Sequence, residues 1–219
     1  MQNDITENTQ MMADYIDSEY EMVHIPIIPF KDSKIAYCYK NVENKIKINK
    51  GTSQLGWFIV ETTFTVEALH HSVWEDPKGN LIDITPSNPP FDRALFIPDD
   101  RIPYDGRIID SIKINLTSND VVNQYIAIDS IKNAIQANTP EFKEGSRVMT
   151  SPYWKKYQGF MTEVTRFLLE GNNQENACYC NSGFPYSHCH MKLIKESLNA
   201  DKWLYTENLV QLKPQSSIS

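Results

Sequence analysis

No stretch of this chain approaches the roughly 20 consecutive apolar residues that a membrane span requires, so no membrane protein is expected. The opening, MQNDITENTQ, has neither a basic n-region nor an apolar h-region and offers no secretory signal. Cysteine is scarce, four in 219 residues. Three of the four cluster, which fits metal binding in a reducing compartment better than a disulfide framework. Basic residues are short too: 21 Lys and Arg face 28 Asp and Glu, a net charge of −7. Phosphate neutralisation needs clustered cations, so the balance argues against a nucleic-acid partner. One local basic group, Lys155–Lys156 with Arg166, reads as a solvated helix face. The chain also lacks internal repeats and low-complexity tracts. What remains is an ordinary globular composition, 41% apolar and 22% charged, expected in the cytoplasm. It is long enough for one full core and a small appendage. Nothing in it speaks to oligomeric state.

The order of elements points to α+β. Residues 1–20 are polar and acidic, a flexible tail or a short docking helix. His24–Phe30 carries two prolines in an apolar run and reads as extended or as an edge strand. Asp32–Ser33 then stands as a cap before IAYCYKNVENKIKI, where Ile35, Tyr39, Val42 and Ile46 give helical periodicity. From Trp57 to Ile84 the chain is rich in β-branched and aromatic residues, and DPKGN is a turn leading into LIDIT, a hairpin. ALFIPD, RIIDSIKINL and VVNQYIAI read as further strands, the last followed by a helix through about Ala137. Ser151–Pro152 opens a helix whose apolar stripe is Trp154, Tyr157, Met161, Val164, Phe167 and Leu168. MKLIKESL closes the chain as a short helix. The expected organisation is therefore an α+β body over residues 21–150 and a helical region over 151–219.

Between those last two helices lie Cys178, Cys180, Cys189 and His190. Three thiolates and an imidazole form a closed tetrahedral set for Zn2+, a structural rather than a catalytic site. Asn181-Ser182-Gly183 supplies the turn that brings both ends to one ion. A segment this short builds no core, so metal binding and local folding are one event. The pattern C-x-C-x8-C-H over residues 178–190 resembles the SEC-C motif, the zinc knuckle at the tail of the bacterial protein-translocation motor and of many unrelated proteins. Ser182-Gly183 and Tyr186 sit where that motif has its S-G and aromatic residue. The resemblance implies a docking element for another macromolecule. Tyr179 replaces the motif's usual proline, Asn181 its glycine and Phe184-Pro185 its lysines, which puts a basic docking surface in doubt. His188, inside the motif, reads as a surface imidazole.

With three cysteines assigned to metal, Cys38 is the only thiol left as a nucleophile. It falls in the first turn of a predicted helix, where terminal N–H groups and the helix dipole favour a thiolate. His70 and His71 lie on one strand and Asp83 on the next. A nucleophilic cysteine needs an imidazole base, and the base needs a third group to orient it. Adjacent strand residues face opposite sides, so only one histidine serves. If Asp76–Asn80 is a five-residue loop with Glu75 opposite Leu81, His71 lies diagonal to Asp83 on one face, roughly 7–8 Å apart along the backbone. A four-residue loop would bring in His70 instead; His71 is favoured.

The stretches C-Y-K-N-V (38–42), H-S-V-W (71–74) and D-I-T-P (83–86) resemble papain-like and transglutaminase-like cysteine enzymes, including uncharacterised bacterial proteins that pair such a body with a SEC-C motif. They are similar also to protein N-terminal glutamine amidohydrolase. The likeness spans about residues 35–99. It implies a helix packed on an antiparallel sheet, with Cys38 as nucleophile, His71 as base and Asp83 as orienter. The Cys38 N–H would be an oxyanion donor, joined by the Asn41 side chain. The plainer reading is an inert core cysteine, a structural histidine, and an Asn41 that merely ties down a loop. Two functions compete: a cysteine hydrolase or acyltransferase acting on an amide of a protein or peptide substrate, and a non-enzymatic adaptor whose zinc knuckle binds a protein or ribosomal partner.

Overall fold

The computed structural model describes residues 4–139, 141–143, 146–147 and 151–204. Its elements in chain order are α1 (Glu7–Ile16), β1 (Val23–Pro26), α2 (Cys38–Asn49), β2 (Thr52–Glu61), β3 (Thr65–Glu75), β4 (Leu81–Ile82), β5 (Arg93–Pro98), β6 (Ile112–Asn115), α3 (Asp120–Ala137), β7 (Glu141–Lys143), β8 (Ser146–Arg147), α4 (Pro152–Leu169) and α5 (His190–Ala200). The mixture of helices and antiparallel sheet is the α+β composition the sequence implies. Two compact units form: one runs to Asp105 and takes in Ser111–Leu116, the other holds Gly106–Asp110 and the chain from Thr117 onward. The division precedes α3. Residue 150, the expected boundary, falls outside the described residues. Among the described residues, no helix is long and apolar enough to cross a membrane.

In the first unit the strands lie in the order β1-β5-β2-β3-β4, with β6 beside β3. The two ends of that path meet. Asp83 donates its N–H to Pro26 O (3.0 Å) and accepts the Ile28 N–H (2.8 Å), and Phe30 N–H reaches Ile84 O (3.1 Å). The sheet thus curls nearly into a barrel, and the seam runs through Asp83. Inside lie Ile25, Ile27, Val73, Ala94 and Phe96. Helix α2 packs on the sheet through Val42 against Trp74 and Ile84, and the Trp74 indole N–H caps the helix end by donating to Lys50 O at 2.8 Å. Gly56 is required where β2 meets β5: a Cβ there would sit 2.2 Å from Ile97 O. The terminal helix α1 is docked, burying Met12 and Ile16, and Glu61 receives the Thr6 hydroxyl and the Asn8 amide at 2.6 and 2.8 Å.

Helix α2 begins at Cys38, later than the Asp32–Ser33 cap implies. Asp32 and Ala36 take left-handed backbone conformations, φ +69° and +64°, which interrupt any helix before Tyr37. The turn DPKGN forms as expected, with the Asp76 carboxylate taking the Lys78 and Asn80 N–H groups at 2.8 and 2.9 Å.

In the second unit VVNQYIAI is not a strand. It is the first half of α3, which is 18 residues long. Asn119 caps it, accepting the Val121 N–H at 3.0 Å. Val121, Val122, Ile128, Ile131 and Ile135 form one buried stripe at helical spacing, so tertiary burial outweighs the strand preference of the β-branched run. Helix α4 starts with Pro152 in its first turn and buries Tyr157, Met161, Val164, Phe167 and Leu168, the expected stripe except for Trp154, which is half-buried. Tyr157 donates to Asp201 Oδ2 at 2.8 Å, joined there by Lys156 at the same distance.

Candidate functional site

Two groups of chemically capable side chains form, one in each unit.

In the first unit Cys38 is the first residue of α2, where backbone N–H groups have no intrahelical acceptor. It is 7% exposed, and its sulfur is near enough to His71 to favour the charged ring. His71 Nε2 lies 3.0 Å from Asp83 Oδ2, so Nδ1 is the ring nitrogen not used by Asp83. The pairing follows from register: Trp74 faces Ile82 and Glu75 faces Leu81, the five-residue-loop arrangement. Asp83 Oδ1 accepts the Thr85 N–H at 2.9 Å, and the Asp83 backbone is held by the barrel seam. Burial opposes a charge on His71, but the Cys38 sulfur and the Asp83 carboxylate outweigh it and hold the imidazolium up to about 10.

His70 points elsewhere. Its Nδ1 is hydrogen-bonded to the Tyr39 hydroxyl at 2.7 Å, and its ring meets Trp57 edge-on at 5.0 Å. Burial pushes it down to about 4, against pulls from the Ile102 carbonyl and Asp99. The adjacent histidines are therefore opposites, one neutral in the core and one charged in the relay.

Asn41 is wholly engaged. Its amide donates to Lys34 O (2.8 Å) and to Thr85 Oγ1 (3.1 Å), and its carbonyl accepts the Lys34 N–H (3.0 Å). Both amide hydrogens are spent within the fold. Thr85 and Tyr39 are contacts the sequence reading did not assign. The first had a signal, its place two residues beyond Asp83; the second had none.

In the second unit Cys178, Cys180, Cys189 and His190 offer ligand atoms within 4.8 Å of one another. Cys178 Sγ to His190 Nδ1 is 3.2 Å, Cys189 Sγ to the same nitrogen 3.5 Å, and Cys180 Sγ to Cys189 Sγ 3.5 Å. The edges of a tetrahedron with thiolate bonds near 2.3 Å and an imidazole bond near 2.05 Å run roughly 3.6–3.8 Å, so one ion fits with little movement. The turn is built by Asn181 and Gly183 at positive φ, +58° and +79°. Ser182 donates to Cys189 Sγ at 3.4 Å. Beneath the cluster Tyr186 is fully buried, stacks on Phe167 at 4.7 Å and donates its hydroxyl to Gln124. Gln124 in turn donates to Met191 O at 2.8 Å. The cluster is thus seated on α3 and α4. His188 is exposed and bonded to Ser187 instead. These four residues could hold a metal ion.

Comparison of the chain with protein-family models, curated proteins and solved structures returns no match.

Proposed function

We propose that this chain is a zinc-binding protein whose body is a cysteine-dependent amide hydrolase or acyltransferase of papain-like or transglutaminase-like type. The observation that supports it is the His71–Asp83 pair, 3.0 Å apart, with the Cys38 sulfur as the group that most favours a charged His71. Helix α2 and the β3–β4 hairpin supply those groups, and the order is the one amide chemistry needs. The Cys38 thiolate attacks the acyl carbon, and the oxyanion forms beside the Cys38 N–H at the start of α2. The His71 imidazolium passes its Nδ1 proton to the departing amine, which leaves a thioester. Neutral His71 then takes a proton from water or from a second amine, whose attack frees the acid or a new amide and restores the thiolate with the imidazolium. Asp83 holds the tautomer and offsets the imidazolium charge. Asn41, its donors already used, contributes by position and not as an oxyanion donor.

The four-ligand cluster would hold one structural Zn2+, with every coordination position filled by protein and none left for chemistry. By its likeness to the SEC-C knuckle it acts as a docking element for a protein or ribosomal partner, and reduced thiols suit a cytoplasmic setting.

The test is alkylation of Cys38 by iodoacetamide at pH 6 on the zinc-loaded chain, read on the Cys38 peptide by mass spectrometry. The expected rate far exceeds that of free cysteine at the same pH. Labelling as slow as free cysteine would overturn the enzymatic reading. The adaptor reading is favoured by one observation, Phe184, which is 61% exposed in the knuckle turn. It expects a captured partner that Cys189→Ala loses and Cys38→Ala keeps.

A further inference from the structure

The relay is carried by two elements with no shared strand ladder: Cys38 on α2, His71 and Asp83 on the hairpin of β3 and β4. The reach of thiol to imidazole therefore depends on how the first turn of α2 sits against that hairpin.

A second contact joins the same two elements a few ångströms away. Cys38 and Asn41 are three residues apart on α2 and lie on neighbouring positions of one face. Asp83 and Thr85 follow β4 directly, two residues apart. Asn41 Nδ2 donates to Thr85 Oγ1 at 3.1 Å, with both side chains buried. The Thr85 N–H holds Asp83 Oδ1 at 2.9 Å, the oxygen that His71 does not use. Three hydrogen bonds run in series from His71 through Asp83 and Thr85 to Asn41, and one helical turn joins Asn41 to Cys38, whose sulfur favours the charged His71. Asn41 cannot rotate, because its remaining donor and its acceptor are fixed on Lys34.

We propose that Thr85 is a positioning residue for the thiol chemistry, acting with Asn41 as a clasp that keeps Cys38 in hydrogen-bond reach of His71 while its own N–H orients Asp83. The proposal deepens the enzymatic reading and rests on it. Thr85 touches neither the reacting sulfur nor a substrate; it acts through Asn41 at one end and Asp83 at the other. A polar pair that merely satisfied its own hydrogen bonds in the core would contribute stability and nothing to thiol reactivity.

The experiment is the pH profile of Cys38 alkylation by iodoacetamide, followed on the zinc-loaded full chain for the wild type, Thr85→Val, Thr85→Ser, Asn41→Leu and the Thr85→Val/Asn41→Leu double variant. Titratable groups near His71 are Cys38 on α2, Asp83 on the hairpin and His70 beside it on β3; the ring facing it from β2 is the uncharged Phe58, 5.7 Å away. Valine keeps the shape and backbone N–H of Thr85 and removes only its hydroxyl. Thr85→Val is expected to move the profile up by about one pH unit, so that the rate at pH 6 falls about tenfold. Thr85→Ser should stay within about twofold of wild type. The double variant should cost little more than Asn41→Leu alone, because both substitutions remove the Asn41–Thr85 bond. If valine does not fold, Thr85→Ala read against Thr85→Ser gives the same comparison. A Thr85→Val profile superimposed on wild type, with only urea stability lowered, would overturn the clasp and leave the nucleophile intact. A wild-type profile like that of free cysteine would instead overturn the enzymatic reading, and the clasp with it.

Discussion

His70 is the histidine whose protonation the fold opposes, and the cost is large enough to measure. Its ring is 9% exposed, lies edge-on to Trp57 and holds the Tyr39 hydroxyl through Nδ1. Burial brings it to about 4 from an ordinary 6.5. As pH falls, the unfolded chain takes up this proton near 6.5 and the native chain only near 4. Between those values the unfolded state binds more protons, so stability falls with pH. The contribution is complete above about pH 6.5 and lost below about 4; two and a half pH units correspond to about 3 kcal/mol. Urea unfolding of wild type and His70→Gln between pH 7 and pH 4 isolates it, because every other group titrates in both proteins. The stability difference between the two should shift by about 3 kcal/mol across that range, in favour of the variant at acid pH. A difference that does not change with pH, or a His70 ring that titrates near 6.5 by NMR, would refute the reasoning.

Stripping metal with a chelator should change the near-ultraviolet signal of Tyr179 and Tyr186, which flank the ligands, and one equivalent of Zn2+ should restore it; recovery that needs two equivalents would contradict a single four-ligand site. Tyr186→Phe leaves the buried Gln124 carbonyl without its donor and should cost about 1–3 kcal/mol in urea unfolding, whereas a neutral effect would mean that this bond does not seat the knuckle. Gly56→Ala forces a Cβ to 2.2 Å from Ile97 O and should destabilise by about 1–3 kcal/mol or more. Gly159→Ala, on α4 with open space around it, should instead stabilise by roughly 0.5–1 kcal/mol; equal effects from the two alanines would argue against the β2–β5 approach.

The parts of both sites that were legible in the sequence are those set by local spacing. Five residues from Asp76 to Asn80 fix the register that brings His71 to Asp83, because the side-chain period of a strand is two and a loop one residue shorter would have chosen His70. The C-x-C and C-H ends of the metal cluster lie on one short turn, so their meeting depends on Asn181 and Gly183 and not on distant packing. The start of α2 was not legible: Ile35 fits the helical stripe, but Ala36 is left-handed and Asn41 reaches back to hold Lys34. The seam that fixes the Asp83 backbone joins residues more than fifty positions apart, Ile27 and Asp83, and no window of sequence contains both. In α3 the β-branched run favoured a strand, and the Asn119 cap with a buried stripe decided otherwise. No match among known families or structures supplements these readings.

The central claim is that Cys38 lies against His71 and holds that ring charged. NMR titration of the His71 ring in wild type and in Cys38→Ala tests it most directly. The Cys38 sulfur is the strongest of the groups that raise His71, so the ring should titrate near 10 in wild type and at clearly lower pH once the thiol is gone. A His71 that titrates near 6.5 in wild type, or that keeps its value in Cys38→Ala, would contradict the account.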